Sequence, residues 1–468
     1  MTNLSGTNLN NGSAVGPQGE GRDSPSTFPA YPAYRDSGVE WLGEVPHHWE
    51  SRRLKFLFSL QKRPVVDSDG IVTCFRDGAV TLRANRRTDG FTNAEKEIGY
   101  QGIRRGDLVI HAMDAFAGAI GVSDSDGKSS PVYSACTPNE GVSAYYYARL
   151  LRHMALAGFV SSLAKGIRER STDFRWSDAS EIYLPFPSIS EQTQIARFLD
   201  HETARIDALI EEQQRLIELL KEKRQAVISH AVTKGLDPTV PMKDSGVEWL
   251  GEVPAHWVVR KGGYIGMLFG SEAVPEYMVN DSGSLPFLKV GSLSADTLSI
   301  RQWDFFVDAS IEKAYRPRSQ FVVFPKRGAA IFLNKVNVVE VSALLDPNLM
   351  GWEMETGNNA YYFANVLKCR GLSELADVST VPQINNKHIS PEKFPVPPFA
   401  EQNDIVAFLD TEITRFDQLV AEAEQGVSLL QERRSALISA AVTGKIDVRD
   451  WQPPANTQAP EPVVAEAN

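Results

Sequence analysis

Two long stretches of the chain carry apolar residues at alternating intervals of three and four positions. A period of 3.5 residues indicates a helix whose narrow apolar stripe forms a coiled-coil seam. Each helix would be about 60 Å long at about 1.5 Å per residue. The predicted seam residues are Ile195, Leu199, Ile206, Leu209, Leu216, Leu220 and Val227 in the first helix, and Ile405, Leu409, Phe416, Leu419, Leu430 and Leu437 in the second.

A long helix with one apolar stripe needs a partner, because the stripe would otherwise face water. The chain supplies two such helices, and we expect them to pair as an antiparallel coiled coil with one module at each end. Packing of each helix on its own module is the alternative. Polar seam residues such as Glu202 and Lys223 make the seam imperfect, so helices of another protein could join it.

The segment that opens each module is duplicated. The sequence Asp-Ser-Gly-Val-Glu-Trp-Leu-Gly-Glu-Val-Pro at 36–46 recurs unchanged at 244–254, and His48-Trp49 recurs as His256-Trp257. The two copies are 208 residues apart. This period excludes solenoid repeats, whose units are about 20 to 50 residues long. The chain therefore contains two whole modules that share a frame.

A second duplication marks the start of each helix. Glu191-Gln192 recurs as Glu401-Gln402. The residues between the opening segment and this Glu-Gln pair largely differ between the two modules. Ser188 and Glu191 form a possible capping box for the first helix. We expect the duplicated Trp41 and Trp249 to be core anchors rather than platforms on which bases stack.

The module interiors predict a mixed α/β structure. Residues 108–110 and 321–324 are typical of strands, and residues 143–156 and 359–369 of helices.

Each strand is predicted to begin a hairpin. The second strand would follow Gly118 in the first module and Gly328 in the second, so the loop at 325–327 would be shorter than the loop at 112–117. Loops that differ on a common scaffold can give one fold two specificities, and these two loops are the candidates for direct contact with a target.

Composition and charge limit the classes of protein and the cellular compartments that the sequence fits. The net charge of −11 argues against a chain that coats nucleic acid by itself, although the distribution of charge has to decide. Neither a membrane-spanning apolar run nor a signal peptide is present in the sequence, so we expect a cytoplasmic protein. Cys74, Cys136 and Cys369 lack metal-ligand spacing and are expected to be unpaired structural thiols.

Enzyme motifs fail at positions that their chemistry requires. A phosphate-loop-like run ends at Lys128-Ser129 but has five residues where four shape the cradle. The run Val396-Pro397-Pro398-Phe399 lacks the Asn or Asp that holds the target amine in amino-methyltransferases. The histidines have no zinc-site spacing. We therefore expect neither a catalytic residue nor a metal site.

What remains is a set of hydrogen-bond donors and loop residues suited to DNA. Arg and Lys suit phosphates and guanine, and Asn and Gln suit adenine. A solvated surface charge is the simpler interpretation of any single residue, but the clusters together favour binding. The candidates are Arg83, Arg86, Arg87, Arg104, Arg105, Met113, Asp114, Phe116, Lys165, Arg168 and Arg170 in the first module, and Lys289, Lys326, Arg327, Asn334, Lys335, Gln383, Asn385, Asn386 and Lys387 in the second.

The duplicated motifs resemble the specificity subunit of type I restriction–modification systems. They are the Trp-Leu-Gly-Glu-Val-Pro-x-His-Trp opening, the Leu-Pro-Phe-Pro and Phe-Pro-Val-Pro-Pro runs before Glu-Gln, and the Phe-Leu-Asp…Ile-Ser…Ala-Val-Thr helices. The resemblance covers about residues 36–447.

The resemblance implies a non-catalytic subunit that recognises double-stranded DNA. Each module would be a target-recognition domain that reads one half of a bipartite, asymmetric target, and the helices would set the gap between the halves. The implied partners are two DNA adenine methyltransferase subunits and restriction (translocase) subunits. S-adenosylmethionine, ATP and Mg would be bound by these partners, and no cofactor by this chain.

The expected fold class is α/β, with two globular target-recognition domains separated by two long helices that form an antiparallel coiled coil. The expected boundaries are a disordered segment at 1–30, recognition domains at 31–188 and 236–398, spacer helices at 189–235 and 399–447, and a disordered tail at 448–468.

Two other functions stay open at this point. The acidic balance and the incomplete seam would also suit a coiled-coil adaptor that binds proteins and makes no direct DNA contact. An enzyme with an unrecognised nuclease or methyltransferase centre is the third hypothesis.

Overall fold

The computed structural model describes residues 28–86, 97–163, 174–270, 274–300, 302–308, 315–377 and 381–454. The chain forms two compact units, Met1–Gln213 with Gln425–Asn468, and Gln214–Glu424. Each unit therefore contains one module and a part of each long helix.

The first module consists of short strands and helices that precede the first long helix. Its strands are β1 (Tyr34–Asp36), β2 (Glu44–Pro46), β3 (Glu50–Arg53), β4 (Phe58–Leu60), β5 (Val72–Cys74), β6 (Val80–Leu82), β7 (Gln101–Ile103), β8 (Leu108–His111), β9 (Ile120–Val122), β10 (Gly127–Ser129), β11 (Tyr133–Pro138) and β12 (Tyr183–Phe186). Its helices are α1 (Leu54–Leu57), α2 (Ala144–Leu156), α3 (Phe159–Ser162), α4 (Trp176–Ala179) and the long α5 (Ile189–Lys234).

The second module has a similar sequence of elements. Its strands are β13 (Met242–Asp244), β14 (Glu252–Pro254), β15 (Val258–Lys261), β16 (Gly266–Gly270), β17 (Val279–Asn280), β18 (Leu285–Leu288), β19 (Phe306–Val307), β20 (Phe321–Pro325), β21 (Asn337–Val339), β22 (Leu344–Leu345), β23 (Leu349–Met354) and β24 (Lys393–Val396). Its helices are α6 (Ala360–Arg370), α7 (Leu372–Leu375), α8 (Asn386–Ile389) and the long α9 (Phe399–Val442).

A four-stranded antiparallel sheet of the same order lies at the centre of both modules. It runs β4-β11-β8-β9 in the first and β16-β23-β20-β21 in the second. Successive residues of a strand point to opposite faces, so Leu108 and Ile110 join the main core of the first unit while Val109 joins a smaller one. Burial on both faces explains why Leu108, Val109 and Ile110 are all apolar, whereas the half-buried last residue of the strand is His111.

The predicted α/β modules and their internal helices are confirmed. Helix α2 begins after Ser143, whose hydroxyl accepts a hydrogen bond from Tyr146 N, and α6 begins after Asn359, whose amide oxygen accepts from Tyr361 N. The second module also contains a sheet of order β17-β19-β18-β22, in which β18 and β22 are parallel. The modules therefore share a frame but differ in what the frame contains.

The predicted second hairpin is wrong. In the first module β9 pairs with β8 as expected, close after Gly118. In the second module Ala329–Ile331 form a 3-10 turn, and the next strand along the chain that pairs with β20 is β21, which begins only at Asn337. The second connection is thus longer than the first, not shorter. The run 336–339 of three valines and one asparagine has the higher strand propensity and takes the pairing position.

A buried tryptophan ties the start of each long helix to its module. Trp49 is fully buried, and its Nε1 donates to Glu191 Oε1 at 3.2 Å, while His48 Nε2 lies 2.8 Å from the same oxygen. Ser188 caps the helix by accepting from Glu191 N at 3.3 Å. The carboxylate of Glu191 thus turns to the duplicated opening instead of completing a capping box.

The second module repeats this contact. Trp257 is fully buried and donates to Glu401 Oε1 at 2.9 Å, and His256 Nε2 lies 2.8 Å from Glu401 Oε2. The duplicated Trp41 and Trp249 pack on the two cores with half-buried rings, as predicted, but the deepest anchors are the neighbouring duplicated tryptophans.

The glutamine beside each glutamate holds the module's central helix. Gln192 is fully buried; its side chain accepts from Ser143 N at 2.8 Å and donates to Pro187 O at 2.8 Å. Gln402, also fully buried, accepts from Asn359 N and donates to Pro397 O. The duplicated Glu-Gln pair is therefore a structural clamp.

The same tryptophans also receive the end of the other long helix. After α9, Gly444 has a φ of +73°, and a Cβ there would lie 2.5 Å from Pro46 and 2.9 Å from Trp49. After α5, Gly235 has a φ of +78°, and a Cβ would lie 3.2 Å from Trp257. Both positions thus require glycine for conformation, and Gly444 requires it for space as well.

Within each unit the two long helices run antiparallel. In the first unit the Gln194 side chain donates to Val448 O, and Asp207 pairs with Arg434 at 2.7 Å. Residues later in the first helix thus contact residues earlier in the second, as antiparallel helices do. In the second unit Arg224 pairs with Asp417 at 3.2 Å. The two ion pairs are equivalents in the repeat, with aspartate and arginine exchanged between the helices.

The predicted seam positions are buried or half-buried except at two positions in the middle of the helices. Ile195, Leu199, Ile206, Ile405, Leu409, Phe416 and Leu437 are buried, and Leu209, Leu220, Val227 and Leu430 are half-buried. Leu216 and Leu419, however, are 43% and 38% exposed.

Buried positions of α5 recur at intervals of eleven residues, namely Ile195, Ile206, Ile217 and Ile228. Eleven residues make three turns of 3.67 residues, closer to the 3.6 of an unstrained helix than the predicted 3.5. Ile217 therefore takes the place assigned to Leu216.

The predicted disorder at the chain ends is wrong close to the first module. The Phe28 ring lies 5.1 Å from that of Phe198, and the Trp451 ring lies 5.2 Å from it. Val448 is 1% exposed, and Asp447 N donates to Pro29 O at 2.7 Å. Burial of these apolar side chains orders both ends. The remainder of the predicted disordered segments, 1–27 and 455–468, lies outside the described residues.

The shifted seam can be tested with two adjacent residues. Replacing buried Ile217 by alanine should lower the free energy of unfolding by about 2–4 kcal/mol, since a cavity forms. Leu216→Ala, at the exposed neighbour, should change it by no more than about 0.5–1 kcal/mol. Urea unfolding followed by circular dichroism measures both changes. A larger loss of stability for Leu216→Ala than for Ile217→Ala would favour the predicted heptad seam instead.

The tryptophan–glutamate contact should give stability that depends on pH. Burial alone would raise the pKa of Glu191, but hydrogen bonds from His48, Trp49 and Ser188 hold this pKa below its usual value. The wild type should exceed Glu191→Gln in stability by about 1.5–3 kcal/mol at neutral pH, because the ionised acceptor is lost.

The sign of the pH effect follows from the lowered pKa. The difference should be complete above the unfolded value of about 4.3 and disappear as the pH falls through the lower folded value. Urea titrations between pH 3 and 7 measure it, with the exposed Glu50→Gln as the matched control. A difference that grows on acidification would contradict the role of the ionised carboxylate.

Candidate nucleic-acid interface

The second module brings several predicted residues to one surface. The backbones of Arg327 and Gln383 form an isolated β-bridge, Ile384 N donates to Lys326 O at 2.8 Å, and Gly328 N donates to Pro382 O at 3.0 Å. Arg327 and Gln383 are exposed and Lys326 is half-buried. The loop that follows β20 is thus fixed to the segment that leads into α8.

Helix α8 extends this surface. The Asn385 side chain accepts from Lys387 N at 3.1 Å, so this residue caps the helix, while Asn386 and Lys387 are exposed. Asp377 lies 2.8 Å from Lys387 Nζ and 3.1 Å from His388 Nε2. The hydrogen bond from Lys387 lowers the pKa of the Asp377 carboxyl.

Asp377 and His388 were missed by the sequence analysis. The local signal for His388 is its position three residues after the capping Asn385, where the two residues hydrogen-bond reciprocally. Asp377 has no comparable local signal, because a backbone bridge to Gln383 brings it to the surface.

Three other predicted residues of this module have different surroundings. The Lys289 ammonium lies 3.8 Å from the centre of the Phe305 ring. Asn334 has a φ of +48°, and its side chain donates to Lys368 O and accepts from Leu372 N, which indicates a structural role. Lys335, next along the chain, is half-buried.

The first module has an equivalent loop with different chemistry. Phe174 N donates to Ala112 O at 3.0 Å, as Ile384 N does to Lys326 O in the second module. Met113 is 50% exposed, and Asp114 pairs with Arg76 at 2.8 Å. Phe116 packs against the core, so its ring is only partly available for a ligand.

A half-buried histidine supports this loop through a side-chain hydrogen bond. His111 Nδ1 accepts from Asp114 N at 2.9 Å. Burial lowers the pKa of His111, although the Asp114 carboxylate lies 3.7 Å away. The imidazole is therefore a neutral acceptor that shapes the loop.

The predicted arginine clusters of this module are largely engaged within the protein. Arg104 donates to Ile103 O at 2.8 Å and to Gly127 O at 3.2 Å. Arg105 donates to Asp124 O at 2.6 Å. These bonds hold the turns around β7 and β10 together.

Arg83 and Arg86 lie near the β5–β6 hairpin. Arg83 Nε donates to Thr73 Oγ1 at 3.3 Å, and Arg86 pairs with Asp77 above the Phe75 ring. The predicted Arg87, Lys165, Arg168 and Arg170 lie outside the described residues.

The described residues contain no group of three or more His, Cys, Asp or Glu that could hold a metal ion. Within the same part of the chain, no helix has the length and apolarity needed to cross a membrane. Cys74, Cys136 and Cys369 are free thiols, and burial raises the pKa of each.

Comparison with known proteins identifies relatives along most of the chain. No protein-family model matches it. The putative type I restriction enzyme MjaX specificity subunit of Methanocaldococcus jannaschii is 22% identical over 87% of this chain and 96% of its own length. The type I restriction enzyme MjaIX specificity subunit of the same organism is 21% identical over 76% of this chain and 81% of its own length.

Solved structures show the same fold. A chain from a study of complex assembly and conformational transition of the type I R-M system has a TM-score of 0.65 and 16% identity, covering 86% of this chain and 99% of its own. The HsdS subunit from Thermoanaerobacter tengcongensis has a TM-score of 0.55 and 16% identity, covering 86% and 98%.

The relatives are named as specificity subunits, and the solved chains share the fold of this chain. The resemblance to the specificity subunits of type I restriction–modification systems that the duplicated motifs indicated is therefore confirmed.

Proposed function

We propose that this chain is the DNA sequence-recognition subunit of a type I restriction–modification complex. One observation carries the proposal: two modules have the same clamps to the long helices but different polar loops at the equivalent edge of their central sheets. Such a chain would hold two readers of different specificity. Each would bind one half of a bipartite, asymmetric target.

The loops suggest how each half-site is read. In the second module the exposed Arg327 can donate two parallel hydrogen bonds to a guanine edge, and Gln383 and Asn386 can pair with adenine. Lys387, held by Asp377, is suited to a phosphate contact. In the first module Met113 offers an apolar contact to a thymine methyl group instead.

The remaining parts of the proposal concern assembly. The paired helices would set the gap between the half-sites and dock two adenine methyltransferase subunits. Those subunits would supply S-adenosylmethionine chemistry, and restriction subunits would supply ATP- and Mg-dependent cleavage. This chain would bind no cofactor and catalyse no step. Support comes from the relatives, which are named as specificity subunits of type I restriction enzymes.

Mapping of N6-methyladenine in a host that carries this chain and its methyltransferase tests the proposal. We expect a split target with two different halves. Exchange of residues 36–185 for the equivalent module of a related subunit should change one half and leave the other unaltered. A continuous target, or a change in both halves, would contradict two separate readers.

The adaptor hypothesis makes a different prediction for the assembled complex. A recognition subunit should confer duplex binding that weakens steeply with salt, because phosphate contacts release counterions. Substitution of modules without any effect on target sequence would favour an adaptor.

Arg327→Ala tests the direct contact in the second module. Loss of a two-bond contact to guanine should cost about 1–3 kcal/mol of discrimination at one position of one half-site. Methylation rates on a library of half-site variants measure this loss. The matched control is Arg415→Ala, which removes an exposed arginine on α9. Equal weakening on all sequences would make Arg327 a phosphate contact.

A further inference from the structure

The residues repeated in the two modules include a set of basic and aromatic residues at the surface. Arg52 and Arg53 recur as Arg260 and Lys261, and an aromatic residue follows each pair after two positions. These aromatic residues are Phe56 and Tyr264. Trp49 and Trp257, repeated nearby, are fully buried and fixed by packing. Arg52, Arg260 and Lys261 are exposed and Arg53 is half-buried. We call each pair of basic residues, with the exposed aromatic side chain that follows it, the basic–aromatic patch.

The patch has the same local structure in both modules. A strand, β3 or β15, is followed by one short helical turn, Leu54–Leu57 or Gly262–Tyr264. Leu54 N donates to Ile182 O at 2.9 Å, and Gly262 N donates to Glu392 O at 2.8 Å. Each turn is therefore fixed by an equivalent backbone hydrogen bond.

Buried neighbours hold the aromatic side chain outward. Leu57 and Ile265, the next residue in each module, are fully buried. Phe56 is 63% exposed and Tyr264 is 69% exposed. A large aromatic side chain held in water beside arginine is typical of the residues that dominate protein interfaces.

Basic residues outnumber acidic ones around each patch. In the second module Arg260, Lys261, Tyr264 and Lys393, together with Glu355, line a shallow depression of about 550 Å³. In the first module the Arg53 guanidinium lies 5.0 Å from the centre of the Tyr183 ring, which occupies the position of Lys393. An acidic partner surface would complement both.

One feature favours a protein over the DNA backbone as the occupant of the first patch. Phe56 carries no hydrogen-bond donor for a phosphate, so it suits an apolar pocket. Arg52 pairs with Glu50 at 2.8 Å and Arg53 with Glu181 at 3.1 Å, so acidic groups of the partner would compete with these carboxylates for the two guanidinium groups.

The contrast with the loops indicates what kind of protein binds. The loops at the sheet edges differ between the modules, as two different half-sites would require, but the patch is kept. We propose that the basic–aromatic patch docks one protein partner present in two copies, one on each module, through an apolar pocket with an acidic rim. This inference rests on the proposed function, in which that partner is the methyltransferase subunit, and it adds a contact on each module to the docking of that subunit on the paired helices.

Native mass spectrometry of the full chain, co-expressed with the methyltransferase subunit of the same locus, tests the proposal. The wild type should carry two copies of that subunit. Arg52→Glu with Phe56→Ala should lose one copy, Arg260→Glu with Tyr264→Ala should lose the other, and all four substitutions should lose both. We expect each pair to weaken one binding step by about tenfold or more.

Tyr145→Ala and Tyr277→Ala are the matched controls, because they remove exposed aromatic side chains outside the patch. Both should retain two copies. Two copies on every patch variant would overturn the proposal. A second outcome would also overturn it: the patch variants keep two copies, but the isolated variant chain binds a random duplex more weakly and with less dependence on salt. That result would assign the patch to phosphate contacts. A wild-type methylation map with an unsplit target would instead refute the proposed function, whatever the stoichiometry.

Discussion

The hydrogen bond between a buried indole and the first turn of a long helix determines the rest of the structure. An indole N–H removed from water needs an acceptor, and Glu191 and Glu401 provide a charged one. A carboxylate in the first helical turn also interacts favourably with the helix dipole. Since Gly444 and Gly235 pack on the same two indoles, one tryptophan in each module fixes the start of one long helix and the end of the other.

This arrangement separates support from variation. The buried glutamines and tryptophans make equivalent contacts in both modules, while the second module adds a sheet and a longer connection after its central strand. Those additions do not alter the clamps. The edge of the sheet where Lys326 meets Ile384, and Ala112 meets Phe174, can therefore differ in sequence at little cost to the fold.

The sequence predicted the repeated elements well and the long-range contacts poorly. The long helices, their ends and the central strands follow from local periodicity. The middle of the seam does not, because Leu216 and Ile217 supply an apolar side chain in either register and the natural turn of the helix decides. Asp377 joins the polar surface through a bridge to Gln383, and no local pattern indicates such a pairing. Arg104 and Arg105 are the opposite case. They were predicted to be free for DNA, but their side chains donate to backbone carbonyls, and the sequence does not indicate such bonds.

The repeated tryptophan–glutamate contact has a consequence for how the chain folds. The native pairs Trp49–Glu191 and Trp257–Glu401 each close a loop of more than 140 residues. Trp257 is much nearer to Glu191 in sequence, and a shorter loop loses less entropy on closing. The entropy of loop closure therefore favours the chemically identical mismatched pair. The dissimilar interiors of the modules disfavour it, because each opening packs on a different core, and sequence divergence between the modules thus works against misfolding.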